Sequence, residues 1–295
     1  MITVMGASGN TGSKIASALL AHGVGVRALG RTEQRLATLR NQGAEVRTGE
    51  ILDGEYLTEA FRGAEAVYTL LPTDQRAADY RARQDAEGEA IARAIRASGV
   101  SHVVALSCVG ADGGENMGVI DGLHAQEERL KRIAGVNLLF LRPVSFYENL
   151  YATLGLIKQQ GMTADSVEPD LPVPMVATRD IAAVAVDALT RRDWSGASNR
   201  EILGPREVTH REIATILGQC LDLPDLAYVR LSDVEMVSAL TGAGLSPSFA
   251  GLYVEMTRAF NDGRVKPLSG RTSDNTTATR FEDFAGELAT AYRAM

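Results

Sequence analysis

Apolar runs rich in β-branched residues alternate with longer stretches of helical periodicity through the first half of the chain. This alternation is typical of a parallel sheet in which each strand is followed by a helix. Glycines after several of the helical stretches are predicted to end them. The pattern predicts strands at Ile2–Met5, Val24–Leu29, Glu45–Thr48, Ala66–Leu70, His102–Ser107 and Asn137–Leu141, and helices at Gly12–Ala21, Gln34–Gln42, Tyr56–Phe61, Ala82–Ala97 and Leu123–Ala134.

The regular alternation of predicted strands and helices ends at about residue 145, after which strands become sparse. The fold class is therefore α/β, a Rossmann-type doubly wound parallel sheet with a smaller, mostly helical C-terminal substrate lobe. We divide the chain into a nucleotide-binding domain, residues 1–145, and the lobe, residues 146–295, with segments of about 172–204 returning to the sheet. The lobe is predicted to contain parallel strands at Val173–Val176 and Glu201–Leu203, an extended segment at Tyr228–Leu231, and helices at Thr178–Thr190, Val208–Leu221, Asp233–Thr241 and Phe249–Asn261.

Length, composition and charge fit a soluble globular protein. The 295 residues contain 45% hydrophobic and 23% charged residues, which are ordinary proportions. No apolar segment is long enough for a bilayer, and because a strand already begins at residue 2 we expect no targeting signal and a cytoplasmic protein. The net charge of −7, with basic and acidic residues intermixed, argues against nucleic acid as a partner. The sequence leaves monomer and homodimer open.

The two cysteines, Cys108 and Cys220, form no disulfide framework and show no metal-ligand spacing. A reducing compartment fits this usage. We therefore expect no metal site, and we assign no nucleophilic role to Cys108, because no neighbouring residue suggests a lowered thiol pKa.

A glycine-rich segment, Gly6-Ala7-Ser8-Gly9-Asn10-Thr11-Gly12, separates the first predicted strand from the first helix. A dinucleotide needs a tight turn, a backbone that approaches the pyrophosphate closely, and helix N-terminal N–H groups that face its charge. Gly6, Gly9 and Gly12 meet these needs, although a tight turn without a ligand is the alternative. Side-chain hydrogen bonds to phosphate are expected from Ser8, Asn10 and Thr11.

No acidic residue ends the second predicted strand, which runs into Leu29-Gly30-Arg31. NAD-binding folds place there an Asp or Glu that holds the ribose hydroxyls and repels a 2′-phosphate. Arg31, with Arg35 one helical turn later, offers guanidinium groups suited to that phosphate, unless both are ordinary solvated surface residues. We therefore expect NADP(H) as cofactor, and Glu33, which tempers the local charge, leaves NAD(H) possible.

With these residues in place, the chain resembles the NmrA-like family of atypical short-chain dehydrogenases, and within it the bacterial NADPH:quinone oxidoreductases. The resemblance covers nearly the whole chain. The motifs that carry it are the GASGNTG loop, Arg31 in GRTEQR, Gly49-Glu50-Ile51, His124 followed by Glu127-Glu128, the segment LRPVSFYEN from Leu141 to Asn149, and Thr178-Arg179-Asp180-Ile181-Ala182.

The resemblance also implies further cofactor contacts. Glu50 would lie near the adenine, and Leu70, Leu71 and Pro72 would line the cofactor after the fourth strand. Leu70 and Leu71 could instead simply end a buried strand, and Pro143 could simply end the sixth strand, because proline removes a ladder donor. Around the nicotinamide and its ribose, the resemblance implies Ser107, Cys108, His124, Pro143, Val144 and Phe146.

The sequence contains no recognisable pair of residues that would transfer a proton to the substrate. Short-chain dehydrogenases use a Tyr-x-x-x-Lys pair, in which lysine lowers the tyrosine pKa, and no tyrosine of this chain has a lysine four residues later. Reduction of ordinary ketones is therefore doubtful. A quinone is already electrophilic, and its reduced oxygens can take protons from water, so a dedicated acid is optional.

His124 and Tyr147 are the candidate catalytic residues. His124 is expected at the start of the helix that crosses the active-site edge, where it could donate to a cofactor ribose or a substrate oxygen, or could instead cap or pack against that helix. Tyr147, like Asn149, could hydrogen-bond substrate or could equally pin the C-terminal lobe.

Two functions remain open from the sequence. The first is an NADPH-dependent oxidoreductase that delivers hydride to a quinone or a similarly activated small molecule bound between the two lobes. The second is a non-catalytic NADP(H)-binding redox sensor, favoured by the missing Tyr-x-x-x-Lys pair. The retained segment Leu141–Asn149 favours the enzyme, because a sensor that reads only the adenine half has less need of it.

Overall fold

The first half of the chain alternates strands and helices, as the hydrophobic pattern predicts. The computed structural model describes all 295 residues. Its first elements are β1 (Ile2–Val4), α1 (Gly12–Ala21), β2 (Val26–Gly30), a 3₁₀ turn (Gln34–Leu36), α2 (Ala37–Asn41), β3 (Glu45–Thr48), α3 (Gly54–Phe61), β4 (Ala66–Thr69), α4 (Tyr80–Ser98), β5 (His102–Leu106), α5 (Val119–Lys131) and β6 (Asn137–Pro143).

The second half is richer in helices and has only short strands. No helix combines the length and the apolar character that a bilayer span requires. The remaining elements are β7 (Ser145–Phe146), a 3₁₀ segment (Tyr147–Thr153), α6 (Leu154–Gln160), β8 (Met162–Asp165), β9 (Val173–Val176), α7 (Thr178–Arg191), β10 (Ala197–Ile202), β11 (Glu207–Val208), α8 (His210–Leu221), β12 (Ala227–Arg230), α9 (Asp233–Gly242), α10 (Pro247–Asn261) and α11 (Phe281–Ala294).

Seven strands form one sheet in the order β10-β6-β5-β4-β1-β2-β3, and every neighbouring pair is parallel. The strand order runs outward in both directions from the boundary between β1 and β4. Open α/β sheets bind ligands in the crevice at the carboxyl ends of the strands, at such a switch point. The predicted α/β class and the Rossmann-type doubly wound sheet are confirmed, and they place a ligand crevice beside β1 and β4.

Helices cover both faces of this sheet, because side chains along a strand alternate between its faces. In β6, Leu139 and Leu141 join the hydrophobic cluster that contains the buried side chains of α1 and α7. Leu138 and Phe140 join a second cluster with those of α3 and α4. The strands are therefore buried on both faces, as their continuous apolar runs indicate.

Two small sheets lie outside the main one. β9 pairs with β7 in parallel and with β11 antiparallel, while β8 pairs with β12. The prediction that Val173–Val176 returns to the main sheet is therefore wrong. β10, which overlaps the predicted strand Glu201–Leu203, does pair with β6. Hydrophobic periodicity detects an extended segment but carries no information about which strand will pair with it.

A third hydrophobic cluster forms the core of the C-terminal lobe. It includes Phe281, Phe284 and Leu288 of α11, a helix that the sequence reading did not assign. α5 also begins earlier than predicted, at Val119 rather than Leu123. The extra turn follows Gly118, whose φ of 62° is left-handed and where an added Cβ would collide with the backbone of α10. Packing against a helix distant in sequence therefore sets this boundary.

Candidate functional site

The glycine loop connects β1 to α1 at the switch point, and two of its glycines are needed for its shape. Gly6 has a φ of 61° and lies directly beneath the side chain of Leu70. A Cβ on Gly12 would lie 2.9 Å from the carbonyl oxygen of Met5 and closer still to the Gly6 backbone. Only glycine therefore allows β1 and α1 to approach this closely.

Gly9 is different, because an added Cβ would meet a single protein atom. That atom is the carbonyl oxygen of Gly6, at a tight 3.3 Å, so the loop would have to shift by a few tenths of an ångström to accept a side chain. Ser8, Gly9 and Asn10 are exposed and lie just before the first turn of α1. The N–H groups of a helix N-terminus attract anions, so this exposed surface could accept a phosphate group.

Thr11 has a structural partner. Its side chain is buried, and its Oγ1 accepts a hydrogen bond of 3.0 Å from the Tyr68 hydroxyl in β4. The Thr11 side chain thus joins the glycine loop to the neighbouring strand, while Ser8 and Asn10 keep exposed side chains for a phosphate.

Lys14 is a site residue that the sequence reading missed. Its Nζ donates to the carbonyl oxygen of Asn10 at 3.0 Å and lies 3.8 Å from a carboxylate oxygen of Glu148. Glu148 is buried and accepts hydrogen bonds from the backbone N–H and the hydroxyl of Thr178. Lys14 therefore adds positive charge beside the glycine loop. The sequence feature that indicates Lys14 is its position in the first turn of α1, directly after the glycine loop.

The end of β2 presents cations without internal partners. Arg31 and Arg35 are exposed, and neither forms a salt bridge within the chain. Glu33, the nearby acid, is paired with Arg40 instead. Its negative charge is therefore partly neutralised, and Arg31 remains available to an anion.

A buried carboxylate on α4 lies within electrostatic range of Arg31. Glu87 is 1% exposed; one of its oxygens accepts from Arg83 Nε at 2.6 Å, and the other has no hydrogen-bond partner. Burial raises the pKa of Glu87, against the opposing effects of Arg83 and, more weakly, Arg31. The sequence does not predict that Glu87 is buried, because the residues around it in α4 do not show which face of the helix packs against the rest of the protein.

The residues predicted around the adenine and after β4 differ in their exposure. Glu50 is exposed beside the turn that leads to α3, and Leu70 packs over the glycine loop. Leu71 is 8% exposed and belongs to a hydrophobic cluster, and Pro72 is half-buried. Leu70 and Pro72 therefore remain candidates for cofactor contact, whereas Leu71 serves mainly the core.

Beyond the switch point, the ends of β5, β6 and β10 are held together by backbone hydrogen bonds. The N–H of Ser107 donates to Leu141, and that of Val109 to Pro143. Pro143 pairs with β10. Val144 is buried in a hydrophobic cluster and Phe146 packs at its edge. Backbone pairing and apolar packing thus fix the ends of these strands on the β5 side of the switch point.

A buried ion pair lies behind Ser107. Arg142 donates from Nε and Nη2 to the two carboxylate oxygens of Glu127, at 2.8 and 2.6 Å. The Ser107 hydroxyl donates to the same carboxylate at 2.6 Å. The Glu127 carboxylate raises the pKa of Arg142. The sequence identifies Glu127 only as part of a family motif, because its hydrogen-bond partners Ser107 and Arg142 lie on other elements.

Cys108, next to Ser107, does not act as a thiolate. Burial raises the pKa of its thiol to about 12, and the negative charge of Glu127 adds to the effect. The surroundings of Cys108 therefore agree with the prediction that it is not a nucleophile.

His124 lies in the second turn of α5 rather than at its start. Its Nδ1 is 3.0 Å from the carbonyl oxygen of Ala111, in the loop that follows β5. A carbonyl oxygen only accepts, so Nδ1 carries the hydrogen and Nε2 is the ring nitrogen that can accept one. The histidine thus anchors the loop that follows β5.

Tyr147 does not lie in an open site. It is fully buried in the core of the C-terminal lobe, where its ring packs against Phe281 and Phe284. Its hydroxyl donates to the carbonyl oxygen of Thr279 at 3.4 Å, and burial raises its pKa to about 12. This geometry replaces the predicted catalytic role of Tyr147 with a packing role, the alternative that the sequence had left open.

Comparisons with known proteins agree with this architecture. The model of a family described as NmrA-like matches residues 1–284. A (4-alkanoyl-5-oxo-2,5-dihydrofuran-3-yl)methyl phosphate reductase from Streptomyces griseus subsp. griseus is 31% identical over 99% of both chains. An NAD(P)H azoreductase from Xenophilus azovorans is 26% identical over 100% of both. The crystal structure of an Escherichia coli NADPH-dependent quinone oxidoreductase complexed with NADPH superposes with a TM-score of 0.82, at 22% identity, covering 98% of this chain and 99% of that one.

Proposed function

The chain belongs to the NmrA-like family, and from this membership and the geometry of its site we propose that it is an NADPH-dependent reductase of small, electron-poor conjugated acceptors such as quinones. The cofactor would occupy the crevice at the switch point, with its pyrophosphate on the glycine loop. The acceptor would lie between the nicotinamide and the C-terminal lobe.

The preference for NADPH is supported chiefly by Arg31. This arginine has no salt bridge within the chain, and no acid ends β2 to hold the ribose hydroxyls of NAD(H). A guanidinium group binds a 2′-phosphate through charge-assisted hydrogen bonds. Because the pairing of Glu33 with Arg40 removes local repulsion without adding a ribose acceptor, weaker use of NADH stays compatible with the site.

The glycine loop is the feature that fits a dinucleotide. Gly6 and Gly12 allow β1 and α1 to approach closely, and the exposed Gly9, without a side chain, leaves the backbone accessible to a pyrophosphate at the start of α1. Lys14, which already donates to this loop, supports the phosphates from the side of α1.

The acceptor class follows from the polar groups at the nicotinamide end. Ser107 donates to Glu127, His124 donates from Nδ1 to Ala111, and Tyr147 is buried in the lobe. No tyrosine–lysine pair is positioned to protonate an unactivated carbonyl oxygen. Conjugated acceptors need less help, and relatives are named for a 5-oxo-2,5-dihydrofuran and for azo compounds.

The residues of the chain would bind and orient rather than react. When bound, NADPH supplies the hydride. Phe146, which packs at the edge of the apolar core, would shield the acceptor from water, and the Nε2 of His124, which carries no hydrogen in this tautomer, would accept a hydrogen bond from a water molecule or from a donor group of the bound molecules. The hydride-reduced acceptor would take the one proton that it still needs from water.

The decisive experiment measures cofactor binding and turnover separately. NADPH binding is followed by fluorescence titration, and its oxidation by stopped-flow absorbance against quinones, enals, azo compounds and simple ketones. We expect binding, with oxidation by the conjugated acceptors and not by the ketones. Tight NADPH binding without oxidation by any acceptor would leave the non-catalytic redox sensor as the function. Absence of NADPH binding would overturn both.

A further inference from the structure

Ser107, Glu127 and Arg142 form a buried polar network that the proposed reaction does not yet use. They are 5%, 1% and 3% exposed, respectively. They come from the residue after β5, from α5 and from β6. Burying a carboxylate and a guanidinium is costly unless they are paired and hydrogen-bonded, so a fully satisfied network marks a place where geometry is fixed.

The carboxylate of Glu127 is saturated by its neighbours. One oxygen accepts from Ser107 Oγ at 2.6 Å and from Arg142 Nε at 2.8 Å. The other accepts from Arg142 Nη2 at 2.6 Å and lies 3.6 Å from Lys131 Nζ. With the bidentate arginine in place, the carboxylate cannot turn away from Ser107 without breaking a charge-assisted bond.

Ser107 has only one hydrogen to donate, and the network uses it. A hydroxyl group provides one donor and two acceptor lone pairs. Because the hydrogen of Ser107 points to Glu127, the hydroxyl can offer only lone pairs to anything bound in the crevice. It therefore suits a ligand hydroxyl or amide N–H and does not suit a carbonyl oxygen.

The position of Ser107 in the sheet identifies the part of the ligand concerned. β2, with Arg31 after it, lies on one side of the switch point, and β4, β5 and β6 lie on the other. A dinucleotide whose pyrophosphate sits at β1 extends its adenosine half toward β2 and its nicotinamide half toward β4 and β5. Ser107, at the end of β5, thus faces the nicotinamide half.

We propose that Glu127 is a positioning residue that holds Ser107 as a hydrogen-bond acceptor for a donor group of the nicotinamide riboside. This inference rests on the proposed NADPH-binding function. Ser107 then contributes to cofactor binding and orientation, and it is not the proton donor to the acceptor. Its contribution is the same for NADPH and NADH, in contrast to that of Arg31.

Ser107→Ala is the first test, because it removes the hydroxyl and leaves the Glu127–Arg142 pair intact. Binding is measured by titration with NADPH, with NADH and with adenosine 2′,5′-bisphosphate, which lacks the nicotinamide riboside. We expect the affinities for NADPH and NADH to fall by the same factor, about threefold to tenfold for one neutral hydrogen bond. The affinity for adenosine 2′,5′-bisphosphate should be unchanged.

Turnover measurements distinguish a Ser107 that accepts a hydrogen bond from the cofactor from a Ser107 that donates a proton to the substrate. At saturating NADPH and quinone, the kcat of Ser107→Ala should stay within a few-fold of wild type. Loss of a proton donor would lower it by roughly 10²–10⁴. A fall of that size, or equal weakening of NADPH and adenosine 2′,5′-bisphosphate, would overturn the inference, as would NADPH and NADH affinities that do not change at all.

Glu127→Gln tests the positioning step, with Glu128→Gln as the matched control. Glu128 is the next residue on α5, is exposed, and pairs with Lys131. Glu127→Gln should reproduce the selective loss of NADPH and NADH affinity, and Glu128→Gln should not. If Glu127→Gln does not fold, Glu127→Asp takes its place, because it keeps the negative charge for Arg142 and withdraws the carboxylate from Ser107. A folded Glu127→Gln protein with wild-type affinities would refute the positioning role.

The donor on the cofactor is identified with an analogue that carries 3-acetylpyridine in place of nicotinamide, because its acetyl group has no N–H. If Ser107→Ala weakens this analogue as much as NADPH, the donor is a ribose hydroxyl. If the effect disappears, the donor is the carboxamide. Either result supports Ser107 as a hydrogen-bond acceptor for the cofactor. Failure of the wild-type protein to bind NADPH at all would instead refute the proposed function itself.

Discussion

The hydroxyl of Tyr68 donates to the hydroxyl oxygen of Thr11 across 3.0 Å, inside the sheet and out of contact with solvent. This bond ties the centre of β4 to the residue that precedes α1. It holds the glycine loop against the strand beside which the switch point opens. The loop is therefore braced before any ligand binds.

Tyr68→Phe should lower the free energy of unfolding by about 1 kcal/mol, because one buried neutral hydrogen bond is lost while the ring is kept. Urea unfolding of Tyr68→Phe, Thr11→Val and the double variant provides the measurement. The two effects should be strongly non-additive, since each change removes the same bond. Additive effects would show that the bond contributes nothing to stability.

Arg31→Ala should weaken NADPH binding by on the order of 1.5–3 kcal/mol and leave NADH binding nearly unchanged, because only the former carries the 2′-phosphate. Fluorescence titration of both cofactors measures the difference. Arg191→Ala, which removes an exposed arginine paired with Asp187 on α7, is the control and should have no effect on either cofactor. Equal losses for both cofactors would remove Arg31 from the phosphate site.

Gly9→Val and Gly12→Val should fail in different ways. A side chain at Gly9 would press only on the carbonyl oxygen of Gly6 and would occupy the space for the pyrophosphate, so this variant should fold after a small shift of the loop and lose NADPH affinity. At Gly12 the side chain would collide with the backbone of β1 and Gly6, so that variant should be strongly destabilised. Circular dichroism and calorimetric titration distinguish the two. Full NADPH affinity in Gly9→Val would make the loop a structural turn only.

His124→Ala should lower the rate of quinone reduction by a modest factor, well short of the roughly 10²–10⁴ expected for loss of a general acid. The physical reason is that quinone oxygens can be protonated by water. Stopped-flow oxidation of NADPH by wild type and variant, side by side, gives the ratio. A much larger loss would make Nε2 of His124 the acid for the reaction.

Glu282 should make part of the stability depend on pH in the acid range. Its hydrogen bond from Arg206 is the main reason that its pKa is lowered from 4.5 to about 2. A carboxylate with a lowered folded-state pKa stabilises the protein above pH 4.5, and this contribution is lost as the pH falls toward 2.

The test is to compare unfolding of Glu282→Gln and wild type between pH 7 and pH 2. Because the pair is partly solvated, we expect a loss of about 1 kcal/mol or less at pH 7 that vanishes near pH 2. Asp283→Asn, in the same helical turn but without an ion pair, is the control for the helix terminus. A difference that does not change with pH would exclude the Arg206 interaction as its cause.

The sequence by itself determined the first strand–loop–helix unit, the parallel alternation and the position of Arg31 directly after the second strand, where no acid stands. Each of these depends on residues close together along the chain. A strand shows its buried faces in a short apolar run, and the glycine loop shows its conformation in its own spacing. Such local features can be recognised without knowledge of the fold.

Only the tertiary structure decided what Tyr147, Val173–Val176 and Glu127 do. The Tyr147 ring is buried by α11, which lies far along the chain, and the strand at Val173–Val176 pairs in a separate sheet. Glu127 meets Arg142 because a helix packs over the strand that follows it. Burial and pairing between elements distant in sequence depend on how those elements pack, and no local pattern of residues encodes that packing.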